Sequence, residues 1–287
     1  MVRLEKDWKH PLHHAILFRL NSEQRSILKW VSGQPPRQQP DQLVVEEPLE
    51  IQVETRPISV TMRTPGHDEE LAAGFLLTEG LISRRDQIAK ITPFPRNPTG
   101  NAINLFLSPD VSIDFAKLTR HVFASSSCGL CGAATIDAVH KTFATVEGNS
   151  ASIAAKEVLA LPRKLRKEQN AFHLTGGLHA AGLFSLRGDP IVIREDVGRH
   201  NAVDKVLGHA LFNNLLPLDS TVLVVSGRAS FEIMQKALAG KIPIIIAVSA
   251  PSSLAVDFAE KSGQTLVAFT RDDRFNVYSH PQRVTFD

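Results

Sequence analysis

Cysteine is scarce in this chain of 287 residues: there are two, beside one tyrosine, two tryptophans and three methionines. Two thiols cannot build a disulfide framework, and they fall short of a four-thiolate zinc site, so any zinc site would have to recruit histidines. Long apolar runs are also missing. No segment approaches the roughly eighteen uninterrupted apolar residues of a spanning helix, and the early run Ala15 to Phe18 is too short for a signal-peptide core. A cytoplasmic protein without a membrane partner is the expectation. A large excess of charge of either sign is lacking, 32 Lys and Arg against 30 Asp and Glu giving a net of +2, and that small excess is unevenly spread. Residues 1–40 hold seven Lys or Arg and three acidic residues, which leaves the remainder slightly acidic and argues against a nucleic-acid-binding body. There is no internal repeat.

What is present is an ordinary globular balance, 43% hydrophobic and 22% charged, able to bury a sizeable core. Residues 1–40, with His10, His13, His14 and the stretch QPPRQQP, are expected to form a mobile basic arm. Residues 41–124 carry alternating apolar positions at Leu49, Ile51, Val53 and again at Ile103, Leu105, Leu107, the mark of a mixed or antiparallel sheet. Between them Asp68-Glu69-Glu70 opens a helix expected to reach Leu81, with Gly74 and Gly80 weakening its interior. Residues 125–135 form a cysteine loop and residues 136–287 a C-terminal α/β subdomain. Helices are expected over 133–146, 153–161 and 164–172, the last two separated by Pro162. From Pro190 onward, short β-branched runs at 191–193, 222–225, 244–248 and 265–269 alternate with helical stretches at 199–213, 229–240 and 252–262, and 275–278 suits an edge strand. That alternation predicts a three-layer, mainly parallel sheet covered on both faces.

In such a sheet, ligands bind beyond the carboxyl ends of the strands, where loops lead into helix N-termini. The polar clusters fall there: Glu195 to Asp204, then Ser226-Gly227-Arg228-Ala229-Ser230, Ser249 to Ser253, and Thr270-Arg271-Asp272-Asp273-Arg274. Each loop alone could be doing no more than capping its helix. Four on one sheet edge read as a binding surface, with Gly227 allowing close backbone approach and Arg228 and Ser230 suited to a phosphate. His179, within TGGLHAAGLF (175–184), is a further candidate, set against the plainer reading of a structural histidine.

Both cysteines stand two residues apart in Ser125-Ser126-Ser127-Cys128-Gly129-Leu130-Cys131-Gly132-Ala133-Ala134. Cys131 would adjoin a helix start, where the dipole favours thiolate. Dithiol–disulfide exchange, persulfide carriage and metal ligation are all open to such a pair, zinc calling on two of His121, His140, His173 or His179. Two inert buried thiols are the plain alternative.

Six segments, SSSCGLCGAA, RTPGHDEELAAGFLLTEGLI (63–82), TGGLHAAGLF, REDVGRHNAVDKVLG (194–208), SGRASFEIMQKA (226–237) and FTRDDRFNVYSHP (269–281), together resemble the FdhD family of formate dehydrogenase accessory sulfurtransferases. The similarity runs from about residue 43 to the end. It implies a carrier that accepts sulfur from a cysteine desulfurase as a cysteine persulfide. The acceptor it implies is the molybdenum cofactor, in its bis-molybdopterin guanine dinucleotide form, before insertion into formate dehydrogenase. By the resemblance Cys128 bears the persulfide and Cys131 assists, and Phe269, Thr270, Arg271, Asp272, Asp273 and Arg274 bind the cofactor, to which Ser226, Gly227, Arg228 and His179 are added from the loop argument. No permanent metal is expected, and a homodimer is the expected assembly. The resemblance also implies a C-terminal fold of cytidine-deaminase-like type. Deaminase chemistry needs His-x-Glu and Pro-Cys-x-x-Cys, whereas His179 is followed by Ala180 and Ala181. A cofactor-binding chaperone without sulfur transfer and a dithiol oxidoreductase are the alternatives.

Overall fold

A computed structural model describes residues 21–93, 101–113, 115, 142–146, 148 and 150–286. The arm expected over residues 1–40 is a folded element where it is described: β1 (Ser22–Lys29) and β2 (Arg37–Val44) form an antiparallel hairpin with Ser22 opposite Val44. The prolines of QPPRQQP read as breakers, yet a two-stranded ribbon has only edge strands, and Pro40 sits in β2 opposite Ser26. Residues 1–20 lie outside the described part.

The second sheet joins β3 (Glu47–Val53), β4 (Arg56–Arg63), β5 (Ile88–Pro93) and β6 (Ala102–Leu107) in the order β4-β3-β6-β5. Its pairing is mixed, β3 running parallel to β6 and the other neighbours antiparallel, as the alternation led one to expect. Helix α1 (Asp68–Thr78) begins at the predicted acidic turn and ends three residues early, where Gly80 adopts φ +73°.

The C-terminal half contains β7 (Ile153–Ala154), α2 (Ala155–Lys167), α3 (Asn170–Thr175), β8 (His179–Ser185), β9 (Pro190–Asp196), α4 (Arg199–Phe212), β10 (Thr221–Val225), α5 (Phe231–Ala239), β11 (Ile244–Ala247), α6 (Ser253–Ser262), β12 (Thr265–Ala268), β13 (Asn276–Ser279) and β14 (Val284–Thr285). Pro162 does not divide a pair of helices as predicted. It lies inside α2, whose buried stripe Val158, Leu161, Leu165 continues past it. Packing of that stripe outweighs the one backbone bond a proline forfeits.

The large sheet runs β13-β12-β11-β10-β8-β9. Only the β10–β11 and β11–β12 pairings are parallel; β8 is antiparallel to both β10 and β9, and β13 is antiparallel to β12. The expectation of a mainly parallel sheet is therefore corrected to a mixed one. The reason is β8, whose sequence HAAGLFS lacks the β-branched run that marked its neighbours. Its small residues serve close packing: a Cβ at Gly182 would crowd Leu165 of α2 at 2.9 Å.

Side chains alternate across this sheet, as the period of two demands. Leu183, Leu223, Val225, Ile245 and Leu266 face a core shared with α1, α4, α5 and α6, and that core continues into Leu49, Ile51 and Leu105 of the small sheet. Phe184, Val222, Val224, Ile244 and Ile246 face α2 on the other side. Helices on both faces give the three layers that were predicted. Among the described residues no helix is long and apolar enough to cross a membrane.

Helices α1 and α4 cross with backbone against backbone. A Cβ at Gly74 would overlap the Asp204 carbonyl, and one at Gly208 would overlap that of Glu70. Gly74 is thus the contact point of the crossing rather than a weak spot in a helix.

Candidate functional site

Strand β8 inserts antiparallel between β9 and β10, so β9, β10, β11 and β12 all run the same way. Their carboxyl ends share one edge of the sheet, and β8 begins at that edge, with His179 opposite Asp196. The four polar clusters found in the sequence follow these strands, and the last three are cross-linked through their backbones. Val248 N–H donates to Val225 O at 3.1 Å, Ser249 N–H to Gly227 O at 3.4 Å and Phe269 N–H to Ser249 O at 3.2 Å.

The turn after β9 is fixed by a buried ion pair. Asp196 and Lys205 are 0% and 1% exposed and meet at 2.7 Å. Asp196 also accepts from Gly198 N–H at 2.8 Å, Asn201 Nδ2 at 3.0 Å and Thr64 N–H at 3.2 Å, while Lys205 Nζ donates to Thr64 O at 2.9 Å. Each charge meets several partners, the condition under which a buried pair is tolerated. The pair also ties the β4–α1 connection to the start of α4. Glu195 is occupied structurally, accepting from Ala171 N–H at 3.0 Å and Phe172 N–H at 2.8 Å at the start of α3. Burial pushes its carboxyl above the usual range against those two hydrogen bonds.

His179 lies under Gly227, where a Cβ would stand 3.3 Å from its Nδ1. Burial first, then the charges of Arg199, His200 and Arg228, hold its imidazole below the ordinary value and neutral at pH 7. Ser226 supports this strand: its Oγ accepts from Ala180 N–H at 2.9 Å and its own N–H donates to Ala180 O at 3.0 Å. Arg199, at the first turn of α4, has a buried Nε without a hydrogen-bond partner among the described residues. Next to it His200 Nε2 pairs with Glu232 Oε2 at 2.8 Å, which lowers the Glu232 carboxyl. Arg228 is exposed.

The loop after β12 is a tight turn. Phe269 has φ +52° and is 40% exposed, Thr270 is buried with its Oγ1 donating to Ala247 O at 3.2 Å, and Arg271 N–H donates to Arg274 O at 2.8 Å. Arg271 Nη1 bonds Val248 O at 2.6 Å, which pins the guanidinium at the sheet edge. Asp273 and Arg274 form an exposed pair at 3.6 Å. Arg271, Thr270 and Ser226 line a cleft of about 380 Å³ whose opposite wall is α2, with Asp272 reaching across to Arg163 at 3.5 Å. That volume lies within the ~300–1,000 Å³ of small-molecule sites. A hollow of about 420 Å³ at the far end of α4, lined by Arg84, Leu211 and Asn214, contains none of the predicted residues.

The edge thus has two sides. Thr270, Arg271, Asp272 and Ser226 border the cleft against α2, and His179, Gly227 and Arg199 gather on the side of α4 and α5. The sequence reading did not single out the α2 wall: Arg163, Arg166 and Gln169 sit in what looked like helix and helix end. Cys128 and Cys131, with His121 and His140, lie outside the described residues. His173 is on α3, its Nε2 bonded to Arg166 O at 2.9 Å. Among the described residues no group of three or more His, Cys, Asp or Glu could hold a metal ion.

Chemically, the edge offers donors: guanidiniums at 163, 166, 199, 228 and 271 and the N-termini of α4 and α5. Donors of this kind suit anionic oxygens such as those of phosphates.

Comparison with known proteins finds similarity over most of the chain. A model of the FdhD/NarQ family matches residues 44–285. The sulfur carrier protein FdhD of Mycobacterium tuberculosis is 48% identical over 255 residues, covering 86% of this chain and 92% of that protein. The protein of the same name from Streptomyces coelicolor is 47% identical over 270 residues, covering 92% and 95%, and that from Sulfolobus acidocaldarius is 42% identical over 244 residues, covering 85% and 91%. A crystal structure from Desulfotalea psychrophila, described as a candidate formate dehydrogenase accessory protein, superposes with a TM-score of 0.73 at 26% identity. It covers 92% of this chain and all of that one.

Proposed function

The chain belongs to the FdhD/NarQ family, and from that premise we propose that it is a sulfur carrier for formate dehydrogenase maturation. In this reading Cys128 receives sulfane sulfur from a cysteine desulfurase. Its thiolate attacks the terminal sulfur of the donor persulfide, a new S–S bond forms on Cys128, and the donor cysteine leaves as thiolate. Cys131 assists or resolves. The acceptor is the molybdenum cofactor in its bis-molybdopterin guanine dinucleotide form, bound as cargo along the C-terminal sheet edge.

The observation that carries the binding half is the convergence of four strand ends, with Arg271 pinned at 2.6 Å to Val248 O beside a cleft of about 380 Å³. Two pyrophosphates need several fixed donors, and Arg271, Arg228, Arg199 and the first turns of α4 and α5 provide them. A guanidinium held by a backbone carbonyl has lost most of its rotamer freedom before the ligand arrives, which lowers the cost of binding. Phe269, exposed in a left-handed conformation, offers a ring on the loop that carries Thr270 and Arg271. His179 stays neutral and so offers an imidazole rather than another cation.

The layering supports a deaminase-like C-terminal fold within this reading, without the chemistry. His179 opens β8 and is followed by Ala180 and Ala181, so the position of the catalytic glutamate is empty of a carboxylate. The carrier works in the cytoplasm as a homodimer, delivering to formate dehydrogenase.

The test uses ³⁵S-labelled cysteine with a desulfurase, the full chain and cofactor-free formate dehydrogenase. Label reaching the enzyme's cofactor only in the presence of the carrier, and not with Cys128→Ala, supports transfer. Formate dehydrogenase maturing normally with Cys128→Ala/Cys131→Ala would support instead a cofactor chaperone that carries no sulfur, a reading favoured by the donor-rich edge alone. Reduction of a disulfide substrate by the wild-type chain would favour the oxidoreductase.

A further inference from the structure

Among the described residues the hairpin of β1 and β2 is a sheet of its own, and an isolated two-stranded ribbon is marginal in water. Its two outer edges are unlike. Val45 N–H donates to Asn21 O at 3.0 Å, and the register runs without a break from Ser22 opposite Val44 to Lys29 opposite Arg37. Antiparallel pairs alternate between bonded and non-bonded, so Glu23, Arg25, Ile27 and Lys29 point their backbone groups at β2, and Gln24, Ser26 and Leu28 point theirs outward. The same alternation turns the nitrogen of Pro40, opposite Ser26, away from β1. Proline there takes a donor out of the β2 edge, a guard against strand addition. Helix α3 lies against β2 as well, and a Cβ at Gly177 just beyond it would stand 3.0 Å from Val44. The β1 edge has no proline, and the outward backbone groups of Gln24, Ser26 and Leu28 have no partner among the described residues.

The charges of the ribbon say what can add there. Glu23, Arg25, Lys29, Arg37 and Asp41 all lie on one of its faces. When β1 meets a second β1 antiparallel about Ser26, Glu23 of each copy falls opposite Lys29 of the other. That is a non-bonded position, where side chains come closest, and the remaining charge, Arg25, falls opposite Ile27. The neighbouring registers are worse. Centring on Arg25 sets two arginines face to face, and centring on Ile27 sets Arg25 against Lys29. Of these registers only the one about Ser26 is matched to itself, as an isologous contact requires. On the other face Leu28 and Trp30, 67% and 65% exposed, gain Gln24 and Ser22 of the second copy as neighbours.

We propose that two copies of this chain join through β1, antiparallel about Ser26, into a continuous sheet in the order β2-β1-β1-β2. The proposal rests on the homodimer of the preceding reading and assigns it an interface. That interface lies outside the family match, since β1 ends at Lys29 and the match begins at residue 44. Ser26 of one copy exchanges both backbone bonds with Ser26 of the other, and Gln24 does the same with Leu28.

Sedimentation velocity over a dilution series of the full-length chain reads the dimer, on wild type, Ser26→Pro and Lys29→Glu. Ser26→Pro removes only an outward donor, keeps the bonds within the hairpin, and should weaken dimerisation about a hundredfold for the two central bonds lost. Lys29→Glu should weaken it about tenfold by making both Glu23 pairs repulsive. Within the hairpin the same change replaces a like-charge pair with Arg37 by an opposite one, so the ribbon itself is not loosened. Glu23→Lys/Lys29→Glu should restore most of the affinity. Oxidation by diamide in a Cys128→Ala/Cys131→Ala background reads the register, two thiols giving one disulfide while diamide takes up both electrons and both protons. Ser26→Cys should cross-link, its Cα atoms standing about 5.5 Å apart. Gln24→Cys should not, its copies lying about 14 Å apart along the strands. Wild type that stays monomeric overturns the homodimer and this interface together. A dimer that keeps its wild-type affinity in Ser26→Pro and Lys29→Glu, or cross-linking of Gln24→Cys in place of Ser26→Cys, overturns the β1 interface and leaves the homodimer standing.

Discussion

Replacing Lys205 by methionine tests whether the rim of the site hangs on the Lys205–Asp196 pair. Methionine keeps most of the volume of the side chain and removes only the ammonium. Asp196, 0% exposed, would keep three uncharged donors at 2.8–3.2 Å but lose its cation at 2.7 Å. Thr64 O would lose the donor it has at 2.9 Å. Breaking a buried pair on one side costs about 3–5 kcal/mol, because the remaining charge stays buried. With a urea slope of about 3 kcal/mol/M, the unfolding midpoint should fall by roughly 1–1.7 M. Urea titration followed by far-ultraviolet circular dichroism measures this. Lys205→Met/Asp196→Asn should be more stable than Lys205→Met alone, although it carries one more change, since neither residue is then charged. A loss below about 1 kcal/mol for Lys205→Met, or simple additivity in the double variant, would refute the reasoning.

Gly74→Ala and Gly208→Ala should each destabilise by about 3 kcal/mol or more, since a Cβ at either position overlaps a backbone carbonyl of the partner helix; thermal melts check this against Ala72→Gly, which should cost only about 1 kcal/mol. Stability should also decline in acid through Glu70 and His67. Burial alone would raise the Glu70 carboxyl, but hydrogen bonds from Arg194 and His209 and the Arg194 charge bring it from 4.5 to about 2, so its contribution of about 3 kcal/mol is present above 4.5 and lost as pH falls towards 2. His67, held from 6.5 down to about 4 by burial and then by Arg194, takes a proton in the unfolded chain first and acts in the same direction between 6.5 and 4, weakened by its 37% exposure. Urea midpoints measured from pH 7 to pH 3 should show the decline, and Glu70→Gln should flatten its limb below pH 4.5.

The sequence was most legible where periodicity and loop chemistry agreed. The β-branched runs of β10, β11 and β12 and the helices between them lie within two residues of expectation at nearly every end, and the polar loops after them meet at one edge. What escaped was decided by partners distant in the chain. Strand β8 has no β-branched residue, and its Ala and Gly are chosen by the nearness of Leu165; missing it hid the antiparallel insertion that brings His179 to the rim. Pro162 looked like a boundary because the packing of Val158, Leu161 and Leu165 across it is invisible locally. Gly74 looked like a weakness because its partner is a carbonyl of residue 204. In Ser226 and Glu195 the polar-loop reading found real rim residues whose groups serve neighbouring backbone as well.

The most direct test of the sulfur-carrier account is intact-protein mass spectrometry after incubation with a cysteine desulfurase and cysteine, on wild type, Cys128→Ala and Cys131→Ala. The account predicts that wild type and Cys131→Ala gain the mass of one sulfur, removable by reductant, and that Cys128→Ala gains none. Added sulfur on Cys128→Ala at the wild-type level, or none on wild type, would contradict it.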